Sequence, residues 1–285
     1  MNGILIVNKP KGLTSRDVVN RVSKVLGTKK MGHTGTLDPI ATGVLVVTVG
    51  KGTKLTDQLQ STTKEYIATA LFGIETDTLD TEGTILKQDN YIPSEFDARR
   101  ILLEMQGEYE QEVPMYSAVK VKGKKLYELA RENKKIKLPK RNVIIYETEF
   151  LSFQDRKITF RIVVSKGTYI RSFIRDFAHK LNTVAVMSDL CRTKQGNFSI
   201  SEAVALNKIT PNTNLISIQD ALSIPKKEVP SEWLKKVKNG ANIELANPFP
   251  FQEVLWTHQN KALAIYICEG LILKPKIMLL EEENQ

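Results

Sequence analysis

The sequence predicts an α+β protein: a mixed, largely antiparallel sheet with helices, followed by a small β-rich module. Three observations carry this. Helix-like and strand-like stretches are interspersed without a regular βαβ period. The 285 residues, 41% apolar and 26% charged, suffice for a substantial core and exclude a disordered chain. Composition breaks at Ser223-Ile224-Pro225-Lys226-Lys227-Glu228-Val229-Pro230, which has two prolines and no clear periodicity. The expected division is therefore residues 1–225 as one domain and 230–285 as a second, behind a linker.

The elements follow in order. Ile4-Leu5-Ile6-Val7 is β-prone, and Lys9-Pro10-Lys11-Gly12 reads as a turn. Thr14 or Ser15 caps a helix with an apolar stripe of Val18, Val22, Val25 and Leu26, ended by Gly27. A glycine-rich stretch, Gly32–Gly43, precedes a strand over Val44–Val49. Further strands are predicted over Lys64–Gly73, Asn142–Phe153 and Lys157–Val164, and helices over Ser94–Met105, Leu126–Glu132, Ile170–Leu181 and around Ser201–Leu206. Short strands and turns, such as Asn239-Gly240, fill the C-terminal module.

No apolar run approaches the roughly 18–20 residues that span a bilayer. The first ten residues hold a short apolar run without a basic region before it or a small-residue cleavage site. Cys191 and Cys268 are the only cysteines, too few for a disulfide framework or a multi-cysteine zinc site. A cytoplasmic protein with no membrane association is expected. The net charge of +9 is unevenly spread. Residues 1–64 carry +7, residues 65–117 carry −9, and residues 118–141 carry +8, with ten basic groups against Glu128 and Glu132. Such a run is either a solvated face or a polyanion contact. Tyr116 and Tyr127 among its lysines make both phosphate contact and base stacking available.

Several chemistries fail on spacing. Gly50-Lys51-Gly52-Thr53 is not a phosphate-binding P-loop, because Gly52 stands where Ser or Thr must hold magnesium and Leu45 where the leading Gly belongs. His33, His179 and His258 are isolated, so no metal site is expected. No G-x-S-x-G elbow is present. In Gly32–Gly43, three glycines and three threonines surround one carboxylate, Asp38, followed by Pro39. A rigid loop of this composition offers either a catalytic carboxylate or an Asx-type turn.

The run Gly32-His33-Thr34-Gly35-Thr36-Leu37-Asp38-Pro39-Ile40-Ala41-Thr42-Gly43-Val44-Leu45 resembles the catalytic loop of the TruB family of tRNA pseudouridine synthases. The resemblance extends through most of the chain, in the family's order. It takes in Asn8–Ser15, Lys64-Glu65-Tyr66, Thr76–Gly83, Pro114–Lys120, Gly123–Arg131 and Gly167-Thr168-Tyr169-Ile170-Arg171. It implies a pseudouridine synthase fold, and a reaction that breaks the C1′–N1 bond of a uridine, rotates the base and rejoins it through C5, with no cofactor. Asp38 matches the family's catalytic aspartate, which acts as nucleophile or as base toward a glycal-like intermediate. Arg171 matches the arginine paired with it; a guanidinium beside a carboxylate favours its charged form. Tyr66 matches the tyrosine that stacks on the target base and is implicated in removing the C5 proton. By type alone a strand tyrosine belongs to a core or an interface, and only the match gives it this role.

The same resemblance implies that Leu190 packs the pocket floor, that His33 meets the flipped nucleotides and that Lys9, placed with them among the substrate-binding residues, supports the site by hydrogen bonding. Cys191 departs from the family, which commonly has a second arginine there. Residues 118–141, with Lys120, Lys122, Lys124 and Lys125, correspond to a thumb-like insertion that closes on the tRNA T-arm stem-loop, contributing phosphate contacts without sequence readout. The C-terminal module resembles a PUA domain through Val237-Lys238-Asn239-Gly240-Ala241, Lys261–Ile265 and Leu273-Lys274-Pro275. The expected substrate is the T-loop uridine at tRNA position 55, extruded from its stack. The expected enzyme is a monomer with no obligate protein partner. The rivals are a guide-RNA-dependent catalytic subunit, which usually brings lysine-rich tails where this chain has Glu281, Glu282 and Glu283, and an RNA chaperone, which has no need of Asp38, Tyr66 and Arg171 together.

Overall fold

A computed structural model of the protein describes residues 1–60, 62–132, 134 and 136–280; Lys135 of the basic segment and the acidic run Glu281–Gln285 lie outside the described residues. The chain opens with β1 (Gly3–Lys9) and α1 (Ser15–Leu26). Thr14 caps α1: its hydroxyl accepts the Asp17 N–H at 3.1 Å while the Asp17 carboxylate accepts the Thr14 N–H at 3.0 Å, a reciprocal box. Of the expected stripe, Val18 and Val22 are buried, but Val25 is 37% exposed and Val19 takes its place.

β2 (Met31–His33) and β3 (Thr42–Val49) flank the glycine-rich loop, and α2 (Thr56–Gln60) and β4 (Lys64–Phe72) follow. The acidic segment forms a hairpin of β5 (Ile74–Thr76) and β6 (Ile85–Gln88), then α3 (Glu95–Glu104) and β7 (Gly107–Glu112). Seven of the carboxylates in and around this part of the chain (Glu75, Asp77, Glu104, Glu108, Glu110, Glu112 and Asp176) line a groove of about 810 Å³ that Asp38, Tyr66 and Leu190 do not line. Next come a short hairpin, β8 (Lys120–Val121) and β9 (Lys124–Lys125), and α4 (Leu126–Arg131). β10 (Lys140–Gln154), β11 (Lys157–Val164), α5 (Ile170–Lys180), β12 (Ala185–Gln195), β13 (Phe198–Ser199) and β14 (Val204–Ala205) complete the first part.

Among the described residues, ten strands form one sheet in the order β14-β1-β3-β12-β4-β11-β10-β7, with β13 on β12 and β2 on β3. Only β1–β14 and β3–β12 pair in parallel, so the sheet is mixed and largely antiparallel, as the sequence predicts. α3 and α5 cover one face over an aromatic core; the Phe160 and Phe173 ring centroids lie 5.7 Å apart and those of Phe160 and Phe177 6.3 Å apart. The expected helix around Ser201–Leu206 is instead two 3-10 turns, Ile200–Glu202 and Leu206–Lys208, either side of β14. Val204 and Ala205 pair with Val7 and Asn8, and a ladder partner outweighs the weak helical pattern of so short a segment.

A second sheet of five strands among the described residues holds β15 (Lys226–Glu228), β16 (Ile243–Glu244), β17 (Glu253–His258), β18 (Lys261–Glu269) and β19 (Ile272–Met278), with α6 (Ser231–Lys238) after β15. Lys226–Glu228, read from sequence as linker, is thus a strand, paired with Leu255–Thr257. The two sheets share a core. β1 divides its two faces: Leu5 and Val7 pack with α1, while Ile4 and Ile6 join Val44, Val46 and, from the second part of the chain, Leu255, Ile265 and Leu279 in one cluster. Burial on both faces explains why β1 and β3 read as near-continuous apolar runs rather than alternating ones.

Candidate active site

Asp38 sits in the loop between β2 and β3 and Arg171 in the first turn of α5, 133 positions apart. The Arg171 guanidinium meets the Asp38 carboxylate with both ends of its fork, Nε to Oδ2 and Nη2 to Oδ1, each at 2.9 Å. Two parallel charge-assisted bonds fix the plane of the carboxylate. Two further N–H groups are engaged, Nη1 with the Thr78 carbonyl at 2.8 Å and Nη2 with the Tyr116 carbonyl at 3.0 Å, and Asp80 Oδ2 lies 4.0 Å from Nη1. Arg171 is buried, whereas the Asp38 side chain is 31% exposed, so the pair is supported from behind and open in front.

Leu37, Ile40 and Ala41, on either side of Asp38, pack into the same cluster as Tyr66 and Leu190. Tyr66 lies on β4, which alternates so that Lys64, Tyr66, Ala68, Ala70 and Phe72 share the buried face. On β12, Leu190 stands opposite Ala68 and Arg192 opposite Tyr66, which puts Leu190 and Tyr66 on one face, one step apart. The apolar wall beside the carboxylate is therefore a product of strand register.

The loop is held by buried cations on its carbonyls. Lys9 is fully buried; its ammonium donates to the carbonyls of Pro10 (2.9 Å), Pro39 (3.2 Å) and Ala41 (2.6 Å). All three protons point at backbone around Asp38, so Lys9 braces the loop from inside and does not face the open side, the position that substrate contact requires. Arg192, 1% exposed, donates Nε to the Val44 carbonyl (2.7 Å) and Nη2 to the Gly35 carbonyl (3.2 Å), clasping both ends of the loop. Gln195 adds bonds to the Thr34 carbonyl (2.7 Å) and the Leu59 carbonyl (3.2 Å). Gly43 makes this approach possible: a Cβ there would lie 2.2 Å from the Arg192 carbonyl oxygen. Sequence reasoning assigned no role to Arg192, Gln195 or Thr78. Their only signal was membership of, or proximity to, the matched blocks, since arginine and glutamine ordinarily lie at the surface.

His33, on β2, is part-buried; its Nδ1 is buried without a hydrogen-bond partner, and burial first, then Arg16 and Arg192, push its pKa down. Lys120, Lys122, Lys124 and Lys125 lie on the β8–β9 hairpin. Lys122 and Gly123, both at positive φ, form its turn. Lys124 pairs with Glu132 at 3.0 Å, whereas Lys125 reaches the Tyr127 hydroxyl at 3.2 Å and, like Lys120 and Lys122, has no carboxylate partner among the described residues. The hairpin rests on its own small core of Val113, Leu126 and Leu129. Its link to the centre is Tyr116, whose carbonyl meets Arg171 and whose hydroxyl donates to Asp77 Oδ2 at 3.0 Å.

Burial lowers the Lys9 pKa from 10.5 to about 8, with Asp38 acting in the opposite direction. Deprotonation leaves two N–H donors and a lone pair facing three carbonyls, which loosens the loop. Activity is therefore expected to fall with a midpoint near pH 8. Stability moves the other way. The unfolded chain binds more protons than the folded one between about 8 and 10.5, so this group makes unfolding harder as pH rises through that window. A single-turnover rate that falls from about pH 7 to about pH 9 with no fall in Tm separates the loop from the fold. A flat rate across that range contradicts the bracing role.

Among the described residues no group of three or more His, Cys, Asp or Glu could hold a metal, and no helix is long and apolar enough to cross a membrane. A family model described as TruB family pseudouridylate synthase (N terminal domain) matches residues 23–170. The tRNA pseudouridine synthase B of Lactobacillus acidophilus is 40% identical over 303 aligned residues, covering 99% of this chain and 100% of that protein. The protein of the same name from Caldicellulosiruptor saccharolyticus is 48% identical over 221 residues, covering 76% of this chain and 77% of its own. Among solved structures, "Crystal Structure of a Cbf5-Nop10-Gar1 Complex" superposes with a TM-score of 0.73 at 23% identity, covering 99% of this chain and 86% of that one. At that identity the likeness shows a shared fold and no more. With the fork of Arg171 on Asp38 at its centre and relatives matched from end to end, the chain belongs to the TruB family of pseudouridylate synthases.

Proposed function

We propose that the protein isomerises a uridine of tRNA to pseudouridine, and that its target is the T-loop uridine at position 55. The observation that carries this is the Asp38–Arg171 fork, a carboxylate held in one plane beside an apolar wall of Tyr66 and Leu190 and open on its other side. The carboxylate acts at the sugar, by attack at C1′ or as the base that gives a glycal. The C1′–N1 bond breaks, the base turns, and C5 bonds to C1′ while its proton leaves and N1 gains one. No group is oxidised or lost, so the reaction needs no cofactor. Tyr66 stacks on the base and serves its C5 proton, Leu190 floors the pocket, and neutral His33 meets the neighbouring extruded nucleotides. Extrusion costs a few kcal/mol, which the apolar wall offsets in part.

Residues 118–141 act as the thumb, with Lys120 and Lys122, which have no carboxylate partner among the described residues, first among its phosphate contacts and Lys124 and Lys125 beside them. The 230–285 module adds contacts to the same tRNA as a PUA-like RNA-binding element. The enzyme works as a cytoplasmic monomer without an obligate protein partner. The test is direct. Purified protein mixed with an unmodified tRNA transcript, without guide RNA or cofactor, is expected to convert the T-loop uridine alone. Conversion elsewhere in the tRNA overturns the site assignment, and no conversion overturns the activity.

A further inference from the structure

Gln111 lies on β7, 60 positions before Arg171 in the chain, and is fully buried. Its carboxamide docks on the backbone of Tyr169 in both directions: Oε1 accepts the Tyr169 N–H at 2.8 Å, and Nε2 donates to the Tyr169 carbonyl at 3.1 Å. Nε2 also meets the Tyr109 hydroxyl at 2.6 Å, so each polar atom of the side chain is engaged. Tyr169 is the N-cap of α5, and it is a tyrosine with no side-chain capping bond. Helices usually fix this position with a Ser, Thr, Asp or Asn side chain of their own. Here an amide from a distant strand grips the cap residue instead.

Two further bonds from the same stretch tighten this grip. The Glu112 carbonyl accepts the Ser172 hydroxyl at 2.8 Å, and the Tyr116 carbonyl accepts Arg171 Nη2 at 3.0 Å. Residues 111–116 thus hold the cap, the first turn and the guanidinium of α5. We propose that Gln111 is a positioning residue for the reaction. By setting where and at what rotation α5 begins, it places the Arg171 fork in the plane of the Asp38 carboxylate, while touching neither that carboxylate nor the RNA. Successive helical residues turn by about 100°, so a small slip at the cap swings the guanidinium out of register with a planar partner. The proposal rests on the uridine-isomerising activity proposed above.

The experiment is a double-mutant cycle. Gln111→Met keeps the length and loses both bonds to Tyr169. At saturating tRNA its single-turnover rate is expected to fall about 30-fold, with the Kd for tRNA within about threefold. Arg171→Lys already lacks the fork, so adding Gln111→Met to it is expected to slow the reaction by no more than about threefold further. Full multiplication of the two losses, an unchanged rate in the single variant, or a loss confined to Kd overturns the proposal. Should Gln111→Met show no cooperative melt, Gln111→Glu, which keeps the acceptor for the Tyr169 N–H, takes its place in the cycle with the same criteria. Wild-type protein runs beside every variant: if it fails to convert tRNA the activity is wrong, and only with wild-type conversion do the variants judge Gln111.

Discussion

Asp38→Asn is expected to abolish turnover while tRNA affinity stays within about tenfold, or ~1.4 kcal/mol. The amide is nearly isosteric and still offers one oxygen to Arg171. Its other end is an NH2, which meets the donors of the guanidinium donor to donor, so the fork recorded at 2.9 Å on both arms cannot form. More important, the amide neither attacks C1′ nor takes a proton. A loss of at least about 10⁴-fold, above 5 kcal/mol in the barrier, is expected. The loop itself should survive, because Lys9, Arg192 and Gln195 hold it by its carbonyls and not through Asp38. Single-turnover conversion by purified Asp38→Asn at more than about one-hundredth of the wild-type rate would remove Asp38 from the chemistry.

Substitution of Arg171 has the second-largest expected effect, and it divides into two parts. Arg171→Lys keeps a positive charge but can reach one carboxylate oxygen at a time, and it abandons at least one of the Thr78 and Tyr116 carbonyls. Its rate is expected to fall about 10²–10³-fold with a modest change in Tm. Arg171→Met removes the charge as well. Two carbonyls and a carboxylate then lose their donors in a site where Arg171 is 6% exposed. Because the Asp38 side chain is 31% exposed, water recovers part of the loss, and about 2–4 kcal/mol of stability is expected to go. Thermal melts of both variants beside single-turnover rates check this. Equal rates for the two would show that charge near Asp38, and not the geometry of the fork, is unimportant to catalysis.

Much of this architecture was written in local pattern. The strand Lys157–Val164 alternates cleanly, and α1, α3 and α5 carry their own periodicity, the first two with Thr14 and Ser94 as caps. β12 was not legible, because its inward-facing positions include Arg192 and Gln195, polar clamps that break the apolar alternation of a buried strand. β7, Gly-Glu-Tyr-Glu-Gln-Glu, reads as a polar surface segment because it is an edge strand with its glutamates outward. At the site, motif matching located Asp38 and Arg171, and the structure brings them into contact. The carbonyl ligands of Lys9, Arg171 and Arg192 were invisible in principle, since backbone oxygens carry no side-chain signature. Net charge was also a poor guide: half of the twelve carboxylates of residues 65–117 line one groove, while the basic hairpin that follows β7 stands on a core of its own.

The cluster that joins Ile4 and Ile6 to Leu279 bears on how the chain is made. The first strand emerges from the ribosome well before the segment that covers its second face. At about 5–20 residues per second, roughly a quarter of a minute to a minute separates them. Through that interval Ile4, Ile6, Val44 and Val46 must wait without their final neighbours, although α1 can already close over Leu5 and Val7. The nascent chain therefore carries an apolar strip that late-arriving residues cover, a natural landing place for a holding chaperone during synthesis.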